Sequence, residues 1–225
     1  MTDTRFLNVA PAIRTSLAAP TRRAVVAGAC GAAALVAACG VALPGGEQAF
    51  ASQETRAEKV VIFHTNDVHG HLQGDGSSAV GIDYVAALHA STPNSLLVDA
   101  GDATQGMPVV SLSRGASAIE LMNVAGYDAM CLGNHEFDFG QEVLLTNAGA
   151  AEFPMLSANV VRKDSGDALL AGVGACGDGA TAVLECGGRH IGVFGITTAS
   201  TSHSTSPANV EGLQFEDEVE TARRC

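Results

Sequence analysis

The chain has 225 residues, with 12 Lys+Arg against 24 Asp+Glu, a formal net charge of −12 at pH 7. An acidic balance of that size argues against a nucleic-acid surface, which needs a basic patch. No C-x-x-C pair occurs, which removes a structural zinc knuckle.

The N-terminal stretch reads as an export signal over residues 1–51. Arg5, Arg14, Arg22 and Arg23 sit in a polar lead, and an Ala/Val/Gly run from Ala24 to Leu43 follows. Pro44-Gly45-Gly46 breaks the run, and Ala49-Phe50-Ala51 offers the small residues a signal peptidase reads. Thr21-Arg22-Arg23 before a weakly apolar run resembles a twin-arginine signal. The competing reading is a retained anchor, since roughly 20 apolar residues span a bilayer, but alanine and glycine make a poor one. Val36-Ala37-Ala38-Cys39 resembles a lipobox, in which Cys39 carries lipid at a new N-terminus. The expected location is the periplasm, the cell envelope or the extracellular space, with membrane contact only through the signal or a lipid anchor. Residues 52–225 remain, with 8 Lys+Arg and 22 Asp+Glu, a formal charge of −14. That length suits one domain with its own core.

Along this domain, KVVIFH (59–64) predicts a buried strand. GIDYVAALHA (81–90) places Ile82, Val85, Ala86 and His89 at helical spacing. SLLVDA (95–100) predicts a second strand. ASAIELMNV (116–124) predicts a helix with Ile119, Leu121 and Met122 near one face, closed by Gly126. DAMCL (128–132) predicts a third strand, and residues 141–148 a helix between Gly140 and Gly149. Residues 181–186 and 190–197 predict two strands joined by Gly187-Gly188, a hairpin turn. Cys176 and Cys186 flank a Gly/Asp-rich turn and are candidates to meet across it, and Cys131 reads as a buried small hydrophobe. Gly172-x-Gly174-x-x-Gly177 matches a dinucleotide fingerprint, but a strand rather than a helix follows. The segment therefore predicts a flexible hairpin loop.

Strands alternating with helices imply an α/β fold with a largely parallel sheet. Each of the first three strands runs into a polar loop: HTNDVHGH, GDATQG and GNHEFD. Ligands of such folds bind beyond the carboxyl ends of the strands. Asp67 and His69 lie on the first loop, Asp102 on the second, Asn134 and His135 on the third. Asp and His are the usual oxygen and nitrogen ligands of zinc, manganese or iron. A carboxylate such as Asp102 has two oxygens and can bridge two cations, and Asn134 adds a neutral oxygen. Two cations about 3.5–4 Å apart suit phosphoryl chemistry. His135 is placed to protonate a leaving oxygen, with Asp138 orienting its ring. The competing reading is that Asp and Asn in loops cap turns and that Gly101, Gly106 and Gly133 are plain turn residues. His64, His71 and His89 have no partner by spacing and are left out of the site.

His64–Gly70, Gly101–Gly106 and Gly133–Asp138 resemble the first three motifs of the bacterial 5′-nucleotidase family. These are calcineurin-like metallophosphoesterases that include the periplasmic UDP-sugar hydrolases. Phe153–Asn159 and Ile191–Thr198 also resemble that family, and the likeness runs from about residue 58 to 217. The resemblance implies a four-layer αββα sandwich and two divalent metal ions, Zn, Mn or similar. It gives Asp67 and His69 to one metal, Asp102 as the bridge and Asn134 to the second, with His135 and Asp138 as the catalytic pair. The substrate it implies is a nucleotide or another phosphoester.

The likeness stops short of the family's later histidines. No Gly-His-x-His occurs, and neither His190 nor His203 fits the missing positions. The family's C-terminal nucleotide-binding domain has no counterpart. FEDEVETARRC begins like a helix, with acidic residues in its first turn. Residues 52–225 thus read as the N-terminal part of a phosphoesterase domain, incomplete at the C-terminus. One metal or none is expected to bind tightly, and nucleotide hydrolysis by this chain is expected to be poor. The alternative is a non-catalytic exported or lipid-anchored envelope protein that binds a metal or a partner.

Overall fold

The computed structural model describes residues 59–74 and 80–225. The export signal and the lipobox cysteine lie outside the described residues.

Four strands, β1 (Val61–Thr65), β2 (Ser95–Asp99), β3 (Ala129–Cys131) and β4 (Met155–Leu156), form one parallel sheet in the order β1-β2-β3-β4. Phe63 lies beside Leu97, Asp99 beside Met130, and Met130 beside Met155. The connections hold α1 (Ile82–Ser91), α2 (Pro108–Ser111), α3 (Ala116–Ala125) and α4 (Gln141–Ala150). A strand order that follows the sequence, with right-handed crossovers, puts the helices on one face. Accordingly α1 packs on α3, and α3 on α4. The core between helices and sheet contains Leu97, Ile119, Met122, Met130, Leu144 and Met155, each contributing about 1.5–3 kcal/mol by burial.

The expected α/β class and the parallel sheet are present. Some details differ. β1 is not a buried strand: it is the sheet edge, and its burial alternates, with Ile62 56 % exposed and His64 exposed. Leu121 points outward at 38 % exposure, because it lies about 200° around the helix from Ile119 at 100° per residue. Helix α4 runs through Gly149 to Ala150. Gly126 does close α3, at φ 79°, with its N–H on the Met122 and Asn123 carbonyls.

Beyond β4 lie β5 (Val160–Arg162), β6 (Thr181–Cys186), β7 (Arg189–Phe194), α5 (Thr201–Ser204), β8 (Leu213–Phe215) and α6 (Glu218–Arg224). β5 pairs with β8, and β6 with β7, both antiparallel. Gly187 and Gly188 turn the hairpin with φ 57° and 71°, as a two-residue hairpin turn demands. β7 ends at Phe194 rather than Thr197 because Asn159 takes over that backbone. Its amide accepts from Thr197 N at 2.9 Å and donates to Thr197 O at 2.7 Å. The glycine-rich 172–177 segment is a tight turn rather than a flexible loop, with Gly174 against the α4 backbone and Cys176 buried. Cys176 and Cys186 do not meet: both are buried, free thiols. The length of β6, at about 3.3 Å per residue, carries Cys186 away from the turn. Helix α6 starts where the acidic turn places it, with Asp217 accepting from Glu220 N at 2.9 Å. Among the described residues no helix is long and apolar enough to cross a membrane.

Candidate metal centre

The carboxyl ends of β1, β2 and β3 each release a loop, and backbone bonds stitch the first loop to the second. Asp67 N donates to Gly101 O and His69 N to Asp102 O, both at 3.0 Å, and Met107 N donates to His69 O at 2.8 Å. Asp67, His69 and Asp102 stand at φ 51°, 46° and 63°. Left-handed backbone at non-glycine residues costs about 1–3 kcal/mol each, and here it falls on three candidate ligands. Gly101, at φ 107°, lies so close to the third loop that a Cβ would meet Gly133 N at 2.4 Å.

One ligand atom each from His69, Asp102 and His135 lie within 4.8 Å of one another. The two imidazoles meet edge to face at 4.9 Å between centroids. His69 Nδ1 is 3.2 Å from Gln105 O, which turns Nε2 toward the group. Asp67 is outside this close set: its carboxylate is 3.9 Å from His69 Nε2, 63 % exposed, and bonded by Asn66. Asn134, half-buried, opens the turn His135–Phe137. His135 N donates to Asp102 Oδ1 at 2.9 Å.

His135 Nδ1 is 2.6 Å from Asp138 Oδ2. Thr205 Oγ1 donates to Asp138 Oδ1 at 3.1 Å, and Asn209 Nδ2 to the Asp138 carbonyl at 2.9 Å. Burial alone would depress the His135 imidazole. The bond and charge of Asp138 outweigh it, with help from Asp102 and Glu136, and hold the imidazole above its ordinary value.

Two buried carboxylates lie under the loops. Glu136, 3 % exposed, receives backbone N–H groups from both the second and third loops. Burial pushes its carboxyl up, while those donors pull it back. Every partner is a donor, so the ionised form is the one this cage fits. Asp99, at the end of β2, accepts from Thr65 Oγ1 and from Gly101 N, and Thr65 in turn meets Tyr127 Oη at 2.8 Å. Burial pushes Asp99 up to about 7 and Tyr127 and Cys131 up to about 12. Sequence reasoning missed Glu136, Asp99 and Thr205. A usable signal existed only for Asp99, an acid inside an apolar strand run.

The other histidines stand apart from this group. His89 Nδ1 is 2.9 Å from Ser95 Oγ at the start of β2. His190 faces Glu185 across the hairpin, and His64, His71 and His203 are exposed.

A carboxylate and two imidazoles meeting at one point suit a divalent cation that takes mixed oxygen and nitrogen donors. The family model "Calcineurin-like phosphoesterase" matches residues 60–222. The chain is 36 % identical over 183 residues to a probable 5′-nucleotidase of Treponema pallidum, covering 74 % of this chain and 30 % of that protein. It is 31 % identical over 185 residues to Protein UshA of Escherichia coli, covering 79 % and 32 %. Among solved structures, a 5′-nucleotidase precursor of Thermus thermophilus superposes with a TM-score of 0.60 at 32 % identity, covering 73 % of this chain and 33 % of that one. The NAD nucleotidase of Haemophilus influenzae gives 0.60 at 29 %, covering 73 % and 31 %. The chain therefore spans about a third of the length of these relatives. The family match covers more than half of the chain, and the chain belongs to the calcineurin-like phosphoesterases.

Proposed function

We propose that the chain binds a divalent cation at this centre and hydrolyses phosphoesters of the nucleotide class. The observation that carries the reading is the convergence of His69, Asp102 and His135 from three loops to within 4.8 Å. Relatives named 5′-nucleotidase support the substrate class. Asp67, His69, Asp102 and Asn134 are the proposed ligands and would hold a cation of the zinc or manganese kind, and the second carboxylate oxygen of Asp102 would be the one shared if another cation bound. A bound cation would supply Lewis-acid polarisation of a phosphoryl oxygen. His135 keeps Nδ1 on Asp138, so Nε2 is the atom that faces the substrate. Its proton passes from there to the departing ester oxygen. Asp138 fixes the tautomer, and Thr205 and Asn209 hold Asp138 still.

Among the described residues only one such group of three His, Cys, Asp or Glu side chains gathers. Binding of a single cation, without the strength of a complete two-metal site, and slow turnover are therefore the expected behaviour. Residues 1–51 serve as an export signal in this reading, which would put the domain outside the cytoplasm; a cut before Cys39, leaving lipid on that cysteine, is the alternative to one after Ala51. Calorimetric titration with Mn²⁺ and phosphate release from AMP test the proposal. About one Mn²⁺ should bind, and turnover should stay below about 1 per second, the low end for enzymes. A folded chain that leaves Mn²⁺ unbound overturns the cation site. Faster turnover overturns the incomplete-site part.

A further inference from the structure

We propose that Glu136 is the positioning residue of this centre, its one buried carboxylate tying the loop after β2 to the loop after β3 and so setting Asp102 and the 133–135 turn for a cation. The inference rests on the cation site proposed above and names what builds it.

The two loops leave neighbouring strands that pair as far as Asp99 and Met130, and beyond those residues no ladder pairing holds the loops together. Three successive N–H groups of the second loop close on one side chain. Glu136 Oε1 accepts from Ala103 N at 2.9 Å, Thr104 N at 3.2 Å and Thr104 Oγ1 at 3.1 Å. Oε2 accepts from Asp102 N at 2.9 Å and from Gly133 N of the third loop at 2.7 Å. The backbone forms an anion nest, and a side chain fills it. Among the described residues no Lys or Arg pairs with Glu136; backbone N–H groups and the Thr104 hydroxyl offset its charge.

Asp102 is consequently held at both ends. Its N–H is fixed on Glu136, and its Oδ1 accepts from His135 N. His135 adjoins Glu136 in the same short turn, so one residue governs the approach of two members of the close group. Burying an ion without a cationic partner is costly. Holding two loops for stability alone would not require one. A carboxylate does what an apolar side chain cannot: it orients N–H groups of both loops toward one point. Aspartate is a methylene too short to span both.

The test compares the full chain with Glu136→Gln and Glu136→Asp. Amide exchange in the metal-free protein comes first. The amides of Asp102, Ala103, Thr104 and Gly133 lie in loops, yet should be protected in the wild type. Free exchange at those four positions overturns the proposal, whether or not the variants fold. Mn²⁺ calorimetry and Mn²⁺ electron paramagnetic resonance follow. Glu136→Gln puts an NH₂ against N–H donors, and Mn²⁺ affinity should fall about 10–100-fold, with a changed spectrum and a retained circular-dichroism fold. Glu136→Asp should fail to restore affinity. A folded Glu136→Gln with wild-type affinity and spectrum reduces Glu136 to a structural role and overturns the proposal. A wild type that protects the four amides but binds no Mn²⁺ sinks the cation site and leaves the tie between the loops standing.

Discussion

Asp99 is 3 % exposed, and burial raises its carboxyl from 3.8 to about 7. The donors Thr65 and Gly101 oppose the rise, and the charges of Glu136 and Asp102 add to it. The folded protein therefore keeps a proton that the unfolded chain releases. The resulting stability is complete below about pH 4 and is lost as pH rises through about 7, by up to ~4 kcal/mol at about 1.4 kcal/mol per tenfold change. Urea titrations from pH 4 to 8 should show a flatter profile for Asp99→Asn than for wild type. Parallel profiles would refute the assignment. His135 follows from the same logic with a different cause. Asp138 holds its imidazole up against burial, so Asp138→Asn should lower the His135 titration midpoint, read by imidazole NMR in metal-free protein. An unmoved midpoint would mean that Asp138 does not govern the ring.

At the scale of elements, glycines separate turn chemistry from close approach. Gly126 caps α3 at φ 79°, and the nearest atom to an added Cβ is 4.0 Å away. Gly126→Ala should therefore cost only the left-handed conformation, about 1–2 kcal/mol. Gly101 has φ 107° and would also drive its Cβ into the Gly133 backbone. Gly101→Ala should cost ~3 kcal/mol or more and weaken Mn²⁺ binding, whereas Gly126→Ala should leave binding unchanged. Equal costs in thermal melts would contradict the close packing of the second and third loops. The same loops show what a sequence can reveal. Apolar runs ending in Gly-Asp and Gly-Asn-His marked the strands and their ends, because burial and turn geometry both act through residue type. Glu136 was illegible for the opposite reason: its partners are mostly backbone N–H groups, which any residue carries. β1 read as buried because a short apolar run looks alike at the centre and the edge of a sheet. The close group was only partly legible. Spacing placed Asp67 and His69 together, but their left-handed backbone leaves the Asp67 carboxylate at the rim.

At the scale of the molecule, the centre has no local existence. His69, Asp102 and His135 are far apart in sequence and meet only when β1, β2 and β3 pair and their loops close. Thr205 and Asn209, which steady Asp138, arrive from beyond the hairpin. Phe137 lies in the same turn as His135 and Glu136, is fully buried, and stacks edge-on to Phe215 at 5.8 Å. The site turn and the core are therefore one packing unit. A cation that binds only the assembled state must stabilise the whole fold. At a hundredfold excess over its Kd, Mn²⁺ should add about 2.7 kcal/mol. For a domain of this size that raises Tm by roughly 5–10 °C, at about 2–4 °C per kcal/mol. Asp102→Asn keeps an acceptor for His135 N but loses the charge. It should melt near the metal-free wild type and show little further rise with Mn²⁺. If the variant gains as much as the wild type, the cation sits elsewhere on this acidic surface, and the strand-end loops are not its seat.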